Sequence, residues 1–307
     1  MLRAIICLLS VSLVAAQEKY EAETALANAL VAVVKGKQGG VELARSLLSR
    51  SDIDVNMRLQ IEEGTKFTQL TAALVAVRQG MEGGAELARA LLSREDIDVN
   101  AGSTSSRGLK ESPLAIALAA VSRGKEGGEE LVRMLLTRSA IDVNVGISMD
   151  DGTTISPLFS ALDAVRYGKK GSVDLTRELL SRPDIDVNKG SAWARGTTES
   201  PLAVALSAVN RGQEGALELV RTLLSHSKID VHSGVATSDG RKDSPLTLAL
   251  YAVKEKKKGA EAIVVELDRL GARAEPQGWL SGVLGFPSEG DAVKRILEDQ
   301  KGLKSEL

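Results

Sequence analysis

The chain repeats itself every 44 residues, and this period constrains its fold more than any other feature. Asp-Val-Asn, or Asp-Val-His in the last copy, recurs at 54–56, 98–100, 142–144, 186–188 and 230–232. Ser-Pro-Leu keeps the same spacing, starting at residues 112, 156, 200 and 244. A fixed period of this length is typical of a solenoid, in which each unit buries its apolar face only against its neighbours. We therefore expect an extended stack of similar units.

Each repeat predicts two helices. In the copy at 112–155, Ser112 suits a helix N-cap and Pro113 the first helical position. Apolar residues then recur at helical spacing as far as Gly124, where the helix should end. A second helix is expected from about Glu129 to Thr137, with Leu135 and Leu136 on its buried side. Between Asp-Val-Asn and the next repeat lie 11 residues with a Gly at a fixed place, which predicts a finger shaped like a β-hairpin.

At this point the sequence resembles the ankyrin repeat. Pro-Leu at a helix start, a Gly between the helices, a Leu-Leu pair and an Asp-Val-Asn exit occur in the family's order. The period is longer than the family's, and the His after Pro-Leu is replaced by Ala115, Phe159, Ala203 and Thr247. The resemblance implies an all-α, ankyrin-like solenoid of helical hairpins with elongated fingers. The competing fold is another two-helix solenoid such as HEAT, which the Gly-bearing fingers and the exits argue against.

The repeats set the expected domain bounds. Residues 17–275 form the repeat domain, and residues 276–307 form a C-terminal capping segment and tail. The repeats are numbered one to six and span 24–67, 68–111, 112–155, 156–199, 200–243 and 244–275. Their fingers span 57–67, 101–111, 145–155, 189–199 and 233–243, and are called the first to fifth fingers.

Both ends of the chain predict a route through the secretory pathway. Arg3, an apolar stretch from Ala4 to Val14 and the small Ala15-Ala16 are typical of a signal peptide, residues 1–16, which is too short to span a membrane comfortably. After cleavage we expect no stable membrane insertion. The last residues, Lys304, Ser305, Glu306 and Leu307, resemble the Lys-Asp-Glu-Leu retrieval signal. We expect residence in the lumen of the endoplasmic reticulum and a retrieval receptor as one partner; the alternative is a secreted protein.

Composition offers little for catalysis. The net charge of −2 gives no reason to expect nucleic acid as a partner. The two histidines, His226 and His232, lie in no nucleophile motif and no metal-ligand spacing. Asp52, Asp54 and Asn56 begin like a calcium loop, but the Gly that such a loop requires is absent. We predict no enzyme, no cofactor and no metal site; a structural or calcium-buffering lumenal protein is the alternative function.

The positions that differ among the repeats indicate where a partner would bind. In ankyrin-like stacks the fingers and first helices line a concave face, which implies another protein as ligand. Trp and Arg dominate protein interfaces most often, although Trp193 could equally pack on its neighbour. The candidate partner-binding residues are Met149, Asp150, Asp151, Asp163, Arg166, Trp193, Arg195 and Tyr251. The expected function is a non-enzymatic protein-binding module, a scaffold or an adaptor.

Overall fold

The chain consists of two compact units, Met1–Asp142 and Val143–Leu307. This computed structural model describes residues 2–60, 64–273 and 288–305. Both units are built of helical hairpins joined by β-hairpin fingers. The predicted helical-hairpin repeat architecture is therefore confirmed within each unit.

The described residues of the first unit form three helical hairpins and two fingers. Its helices are α1 (Leu2–Val34), α2 (Gly40–Leu48), α3 (Gln69–Gln79), α4 (Gly84–Leu92), α5 (Pro113–Ser122) and α6 (Gly128–Leu136). Its strands are β1 (Arg58–Gln60), β2 (Lys66–Thr68), β3 (Ser103–Thr104) and β4 (Lys110–Glu111).

In the second unit, residues 143–273 and 288–305 form three more hairpins, three fingers and a final helix. Its helices are α7 (Pro157–Arg166), α8 (Ser172–Leu180), α9 (Pro201–Asn210), α10 (Ala216–Ser225), α11 (Pro245–Lys254), α12 (Ala260–Arg269) and α13 (Glu289–Ser305). Its strands are β5 (Ile147–Ser148), β6 (Thr154–Ile155), β7 (Ser191–Ala192), β8 (Thr198–Glu199), β9 (Val235–Ala236) and β10 (Lys242–Asp243). Helix α13 packs on α11 and α12, with Ala292 and Val293 buried in the core of this unit.

The helix boundaries follow the predicted signals. Ser200 caps α9, because its hydroxyl accepts a hydrogen bond from the Ala203 backbone N–H at 3.2 Å, and Pro201 is the first helical residue. Gly215 precedes α10 with φ of 75°. A Cβ at Gly215 would lie 2.6 Å from Val173 Cγ1 of the preceding hairpin, so this position needs Gly for its dihedral angle and for its close contact.

The fingers are hairpins with a Gly in the left-handed conformation at the tip, as the fixed Gly predicted. In the fourth finger the Trp193 N–H donates to Thr197 O at 2.8 Å and Gly196, with φ of 82°, donates to Trp193 O at 2.8 Å. Neighbouring fingers also pair with one another, through β2 and β3 in the first unit and through β6–β7 and β8–β9 in the second. The sequence did not predict this pairing between fingers.

The core lies between consecutive hairpins. In the second unit, each first helix buries two Leu side chains that lie four residues apart: Leu158 and Leu162, Leu202 and Leu206, and Leu246 and Leu250. Ala205 and Ala249, on the same helices, are also buried. Small side chains at these positions let neighbouring helices approach closely, and burying each Leu stabilises the fold by about 2 kcal/mol.

The Asn of each exit turn connects one repeat to the next. The side chain of Asn188 donates to Lys228 O at 2.7 Å and accepts from the Asp230 N–H at 2.8 Å. Asn56, Asn100 and Asn144 make the same two bonds to the turn that follows them. The turn itself is closed by Asp, since Asp186 Oδ1 accepts from the Asn188 N–H at 3.0 Å. Asn is therefore a bridge between repeats.

The N-terminal helix runs from the predicted signal peptide into the first repeat without a break. Among the side chains of this helix that the structure describes, which begin at Val14, those of residues 14–21 are exposed and the first buried one is Ala22. Among the described residues, none of the helices combines the length and the apolar character that crossing a bilayer requires. The side chains of Lys304 and Ser305, and Glu306 and Leu307 altogether, lie outside the described residues.

We predict that Asn188→Ala lowers the free energy of unfolding by about 1–2 kcal/mol, because it removes two hydrogen bonds between repeats. Chemical denaturation followed by circular dichroism measures the change. His232→Ala is the matched control: His232 occupies the equivalent place, and its side chain hydrogen-bonds to none of the described residues. It should cost less than about 0.5 kcal/mol. Equal losses in both variants would show that the bridge does not contribute to stability.

Candidate protein-interaction site

The third and fourth fingers enclose a shallow cleft in the second unit. It is lined by Asp151, Thr153, Trp193, Ala194, Arg195, Thr197 and Glu199, and we call it the finger cleft. The Ala194 N–H donates to the Thr153 hydroxyl at 3.2 Å, which links the two walls. The structure thus brings together three of the predicted partner-binding residues, Asp151, Trp193 and Arg195.

Trp193 has one protected and one accessible side. Its ring meets that of Phe159 edge-to-face, with centroids 5.6 Å apart and an interplanar angle of 77°. Phe159 is buried in α7, and Trp193 packs against the same apolar core. The half-buried indole therefore anchors the fourth finger to the first helix of its repeat and also lines the finger cleft. An aromatic ring held in this way loses little conformational entropy when it contacts a partner.

Arg166 fastens the base of the fourth finger. Its guanidinium donates to Glu199 Oε1 at 2.5 Å and to the Asp163 carboxylate one helical turn earlier. Only 14% of the Arg166 side chain and 11% of the Glu199 side chain are exposed, so the pair is largely removed from water. Burial raises the pKa of the Glu199 carboxyl, against the opposing attraction of Arg166. Burial also disfavours the charge of Arg166, but Glu199 and Asp163 together raise the pKa of the guanidinium.

The same ion pair occurs in the first unit. Arg78 donates to Glu111 Oε1 at 2.5 Å, and its side chain is 16% exposed. The second and fourth repeats thus share one connection between first helix and finger. Two of the predicted partner-binding residues, Asp163 and Arg166, are engaged in this internal network; contact with a partner stays a prediction for both.

The tip residues of these fingers are open to solvent. Met149 is 39% exposed, and Asp150, Asp151 and Arg195 are also exposed. The Asp151 carboxylate accepts from the Thr153 N–H at 2.8 Å, a bond that lowers the pKa of this carboxyl. Within the described part of the chain, no acidic side chain forms an ion pair with Arg195. Arg195 thus keeps its full donor capacity for a ligand.

Tyr251 lies apart from this cluster. It is half-buried on α11, packs against the core of the second unit and does not line the finger cleft. Its predicted role at an interface stays a prediction.

Tyr167 was not predicted from the sequence as a candidate partner-binding residue. Tyr167, at the C-terminal end of α7, is 55% exposed. The guanidinium carbon atoms of Arg166 and Arg211 lie 5.5 and 5.0 Å from its ring centroid. Both distances are in the range of cation–π contacts. The signal was present in the sequence, since the equivalent positions hold Lys35, Gln79, Arg123, Arg211 and Glu255.

The exit-turn carboxylates, considered above as calcium ligands, serve the turns. Asp52 pairs with Arg50 at 2.8 Å, and Asp54 Oδ1 accepts from the Asn56 N–H at 2.8 Å. In the described part of the chain, no three His, Cys, Asp or Glu side chains are grouped as metal ligands.

Comparison with solved structures finds a similar repeat protein. It is the ankyrin repeat domain of Bcl-3, described as a unique member of the IkappaB protein family. The match has 20% sequence identity and a TM-score of 0.35, and it covers 78% of this chain and 97% of the Bcl-3 chain. No family model and no curated protein matches the sequence. The fold is therefore defined by the hairpins, exit turns and fingers described above.

We predict that Glu199→Ile destabilises the protein by about 2 kcal/mol, because it leaves the buried guanidinium of Arg166 with one carboxylate fewer. The double variant Arg166→Ser, Glu199→Ile should recover most of this loss. It installs the residues that the third repeat carries at the equivalent positions, Ser122 and Ile155. Urea denaturation of both variants and of Arg166→Ser completes the double-mutant cycle. Simple additivity of the two single changes would contradict a coupled pair.

Proposed function

We propose that this protein is a non-enzymatic protein-binding module, and that its partner contacts the finger cleft and the adjoining tips. The observation that carries the proposal is the arrangement around Trp193 and Arg195. One is an aromatic ring fixed from behind by Phe159, and the other is an exposed guanidinium that pairs with no described carboxylate. Trp and Arg are the residue types that most often supply the binding energy of protein interfaces.

The surroundings of the finger cleft support the same function. The two fingers are held by strand pairing between β6 and β7, with Thr154 opposite Ala192. The base of the fourth finger is fixed by the Arg166–Glu199 ion pair. A surface whose backbone is already fixed loses less entropy on association, which favours affinity.

We further propose that the protein acts in the secretory pathway, as a resident of the endoplasmic reticulum retained through Lys304, Ser305, Glu306 and Leu307. Support comes from the signal-peptide pattern of residues 1–16 and from the burial of α1. Among the α1 side chains that the structure describes, which begin at Val14, the first buried one is Ala22, and cleavage after Ala16 would remove none of the buried ones.

We predict that Arg195→Ala weakens partner binding about tenfold and leaves the melting temperature unchanged, because the Arg195 side chain is exposed and forms no ion pair with any residue that the structure describes. Partners are captured from a lumenal extract on the immobilised protein, identified by mass spectrometry, and their affinities are measured with purified components. Arg221→Ala is the matched control, since Arg221 is an exposed arginine on α10, a second helix.

Trp193→Phe complements this test. The smaller ring can keep its contact with Phe159, whereas Trp193→Ala would remove a packing contact and lower stability as well. A captured partner that binds wild type, Arg195→Ala and Trp193→Phe equally well would contradict a site at the finger cleft.

We predict that the mature protein begins at Gln17 after removal of the signal peptide. We also predict that residues appended after Leu307 cause its release into the culture medium. Mass spectrometry of the purified protein locates its N-terminus, and immunoblotting of cells and medium measures retention. A version with Leu307 unchanged and an equal number of residues inserted before Gln17, after the cleavage site, is the control. Retention that is indifferent to the appended residues would exclude a retrieval signal.

A further inference from the structure

The tips of the third, fourth and fifth fingers form a row in the second unit. Strand β6 pairs with β7, and β8 pairs with β9, so that the three hairpins share one sheet. Each finger contributes two strands, and neighbouring strands of a sheet are about 4.8 Å apart. Successive tips are therefore spaced by about 10 Å.

The charge at the tips alternates along this row. The residue just before the tip Gly is Asp151 in the third finger, Arg195 in the fourth and Asp239 in the fifth, and all three are exposed. In the sequence the alternation extends to the earlier fingers, which have Glu63 and Arg107 at the same place. The register of the hairpins, with Thr154 opposite Ala192 and Thr198 opposite Ala236, keeps equivalent positions side by side.

The acidic tips are held by their own fingers. The Asp151 carboxylate accepts from the Thr153 N–H, and the Asp239 carboxylate accepts from the Thr237 hydroxyl. These bonds lower the pKa of both carboxyl groups, so that both are ionised at neutral pH. Between them, Arg195 forms no ion pair with any described residue. At the position before each tip Gly, the row thus presents negative, positive and negative charges that are exposed to a ligand. In the fifth finger the cation of Arg241 follows the tip Gly, and its N–H also donates to the Asp239 carboxylate.

The geometry points to an extended peptide segment of a partner protein as the occupant of this row, with basic, acidic and basic side chains at intervals of three residues. An extended chain rises about 3.3 Å per residue, so three residues match the spacing of about 10 Å between the tips. A polyanion such as nucleic acid, or a purely basic peptide, would meet repulsion at one tip at least. The peptide residues that span the tips of the third and fourth fingers would lie over Trp193. This inference rests on the proposed function and specifies its ligand.

The test uses eight fluorescein-labelled heptapeptides of the form X-Ser-Val-Y-Ser-Val-Z, in which X, Y and Z are Lys or Glu in every combination. Binding to the full-length protein is measured by fluorescence anisotropy at low ionic strength. The Lys–Glu–Lys peptide should bind tightest, about fivefold better than Glu–Lys–Glu, and raising the salt to about 0.5 M should reduce that difference. The pattern is the same in both chain directions, so the result does not depend on the orientation of the peptide.

Two variants decide whether the tips select the charges. Arg195→Asp leaves the hydrogen bonds of both acidic tips intact and should shift the preference to Lys–Lys–Lys. The triple variant Asp151→Arg, Arg195→Asp, Asp239→Arg should reverse it to Glu–Lys–Glu. Thermal melts monitored by circular dichroism establish that both variants fold. An affinity ranking that is flat, or that is the same in wild type and both variants, overturns the inference.

The two proposals fail differently. If a captured partner depends on Arg195 while the peptides show no preferred charge order, the binding function stands and the extended alternating ligand is wrong. If neither the partner nor any peptide responds to the tips, both proposals are wrong.

Discussion

Contact between consecutive hairpins is the interaction on which the rest of this structure depends. A single hairpin has one apolar face and cannot bury it alone, so each repeat is stable only against a neighbour. The buried Leu and Ala of the first helices supply the apolar part of that contact. Asn188 and its equivalents supply the polar part, because each bonds to the backbone of the following turn. Where neighbouring hairpins are in close contact, as at Gly215 beside Val173, only a residue without a side chain fits.

The position where a finger meets the first helix of its repeat holds an ion pair in some repeats and apolar side chains in another. Arg78 with Glu111 and Arg166 with Glu199 form ion pairs, while the equivalent positions of the first repeat hold Val34 and Phe67. Replacing a buried ion pair by apolar residues of similar volume is often neutral for stability, which explains how both solutions occur in one chain. An ion pair is more demanding in geometry, because its donors and acceptors must face each other. The fourth finger, which bears Trp193 and Arg195, is fixed by such a pair.

Much of the local structure was predictable, and most of the contacts between elements were not. The Ser caps, the N-terminal prolines and the tip glycines act on their own neighbours in sequence, so a single repeat reveals them. Arg166 was predicted to face a partner because its position varies, yet it pairs with Glu199 at the far end of the same repeat. The sequence carries a signal for this ion pair, since Arg and Glu occur together at the two equivalent positions in the second and fourth repeats. The Asn bridge and the pairing of β6 with β7 depend on how one repeat sits on the next, and no pattern within a repeat encodes that.

The tips are where sequence can change without cost to the fold. In the fourth finger the turn is closed by backbone bonds between Trp193, Gly196 and Thr197, and only the Gly is required by its dihedral angle. Ala194 and Arg195 are exposed and contribute little to stability. A change of charge at Arg195 therefore alters what the surface attracts and leaves the strand pairing beneath it intact. Because the fingers hold their tips at a regular spacing, a few such positions suffice to specify both the order and the interval of charges on a ligand.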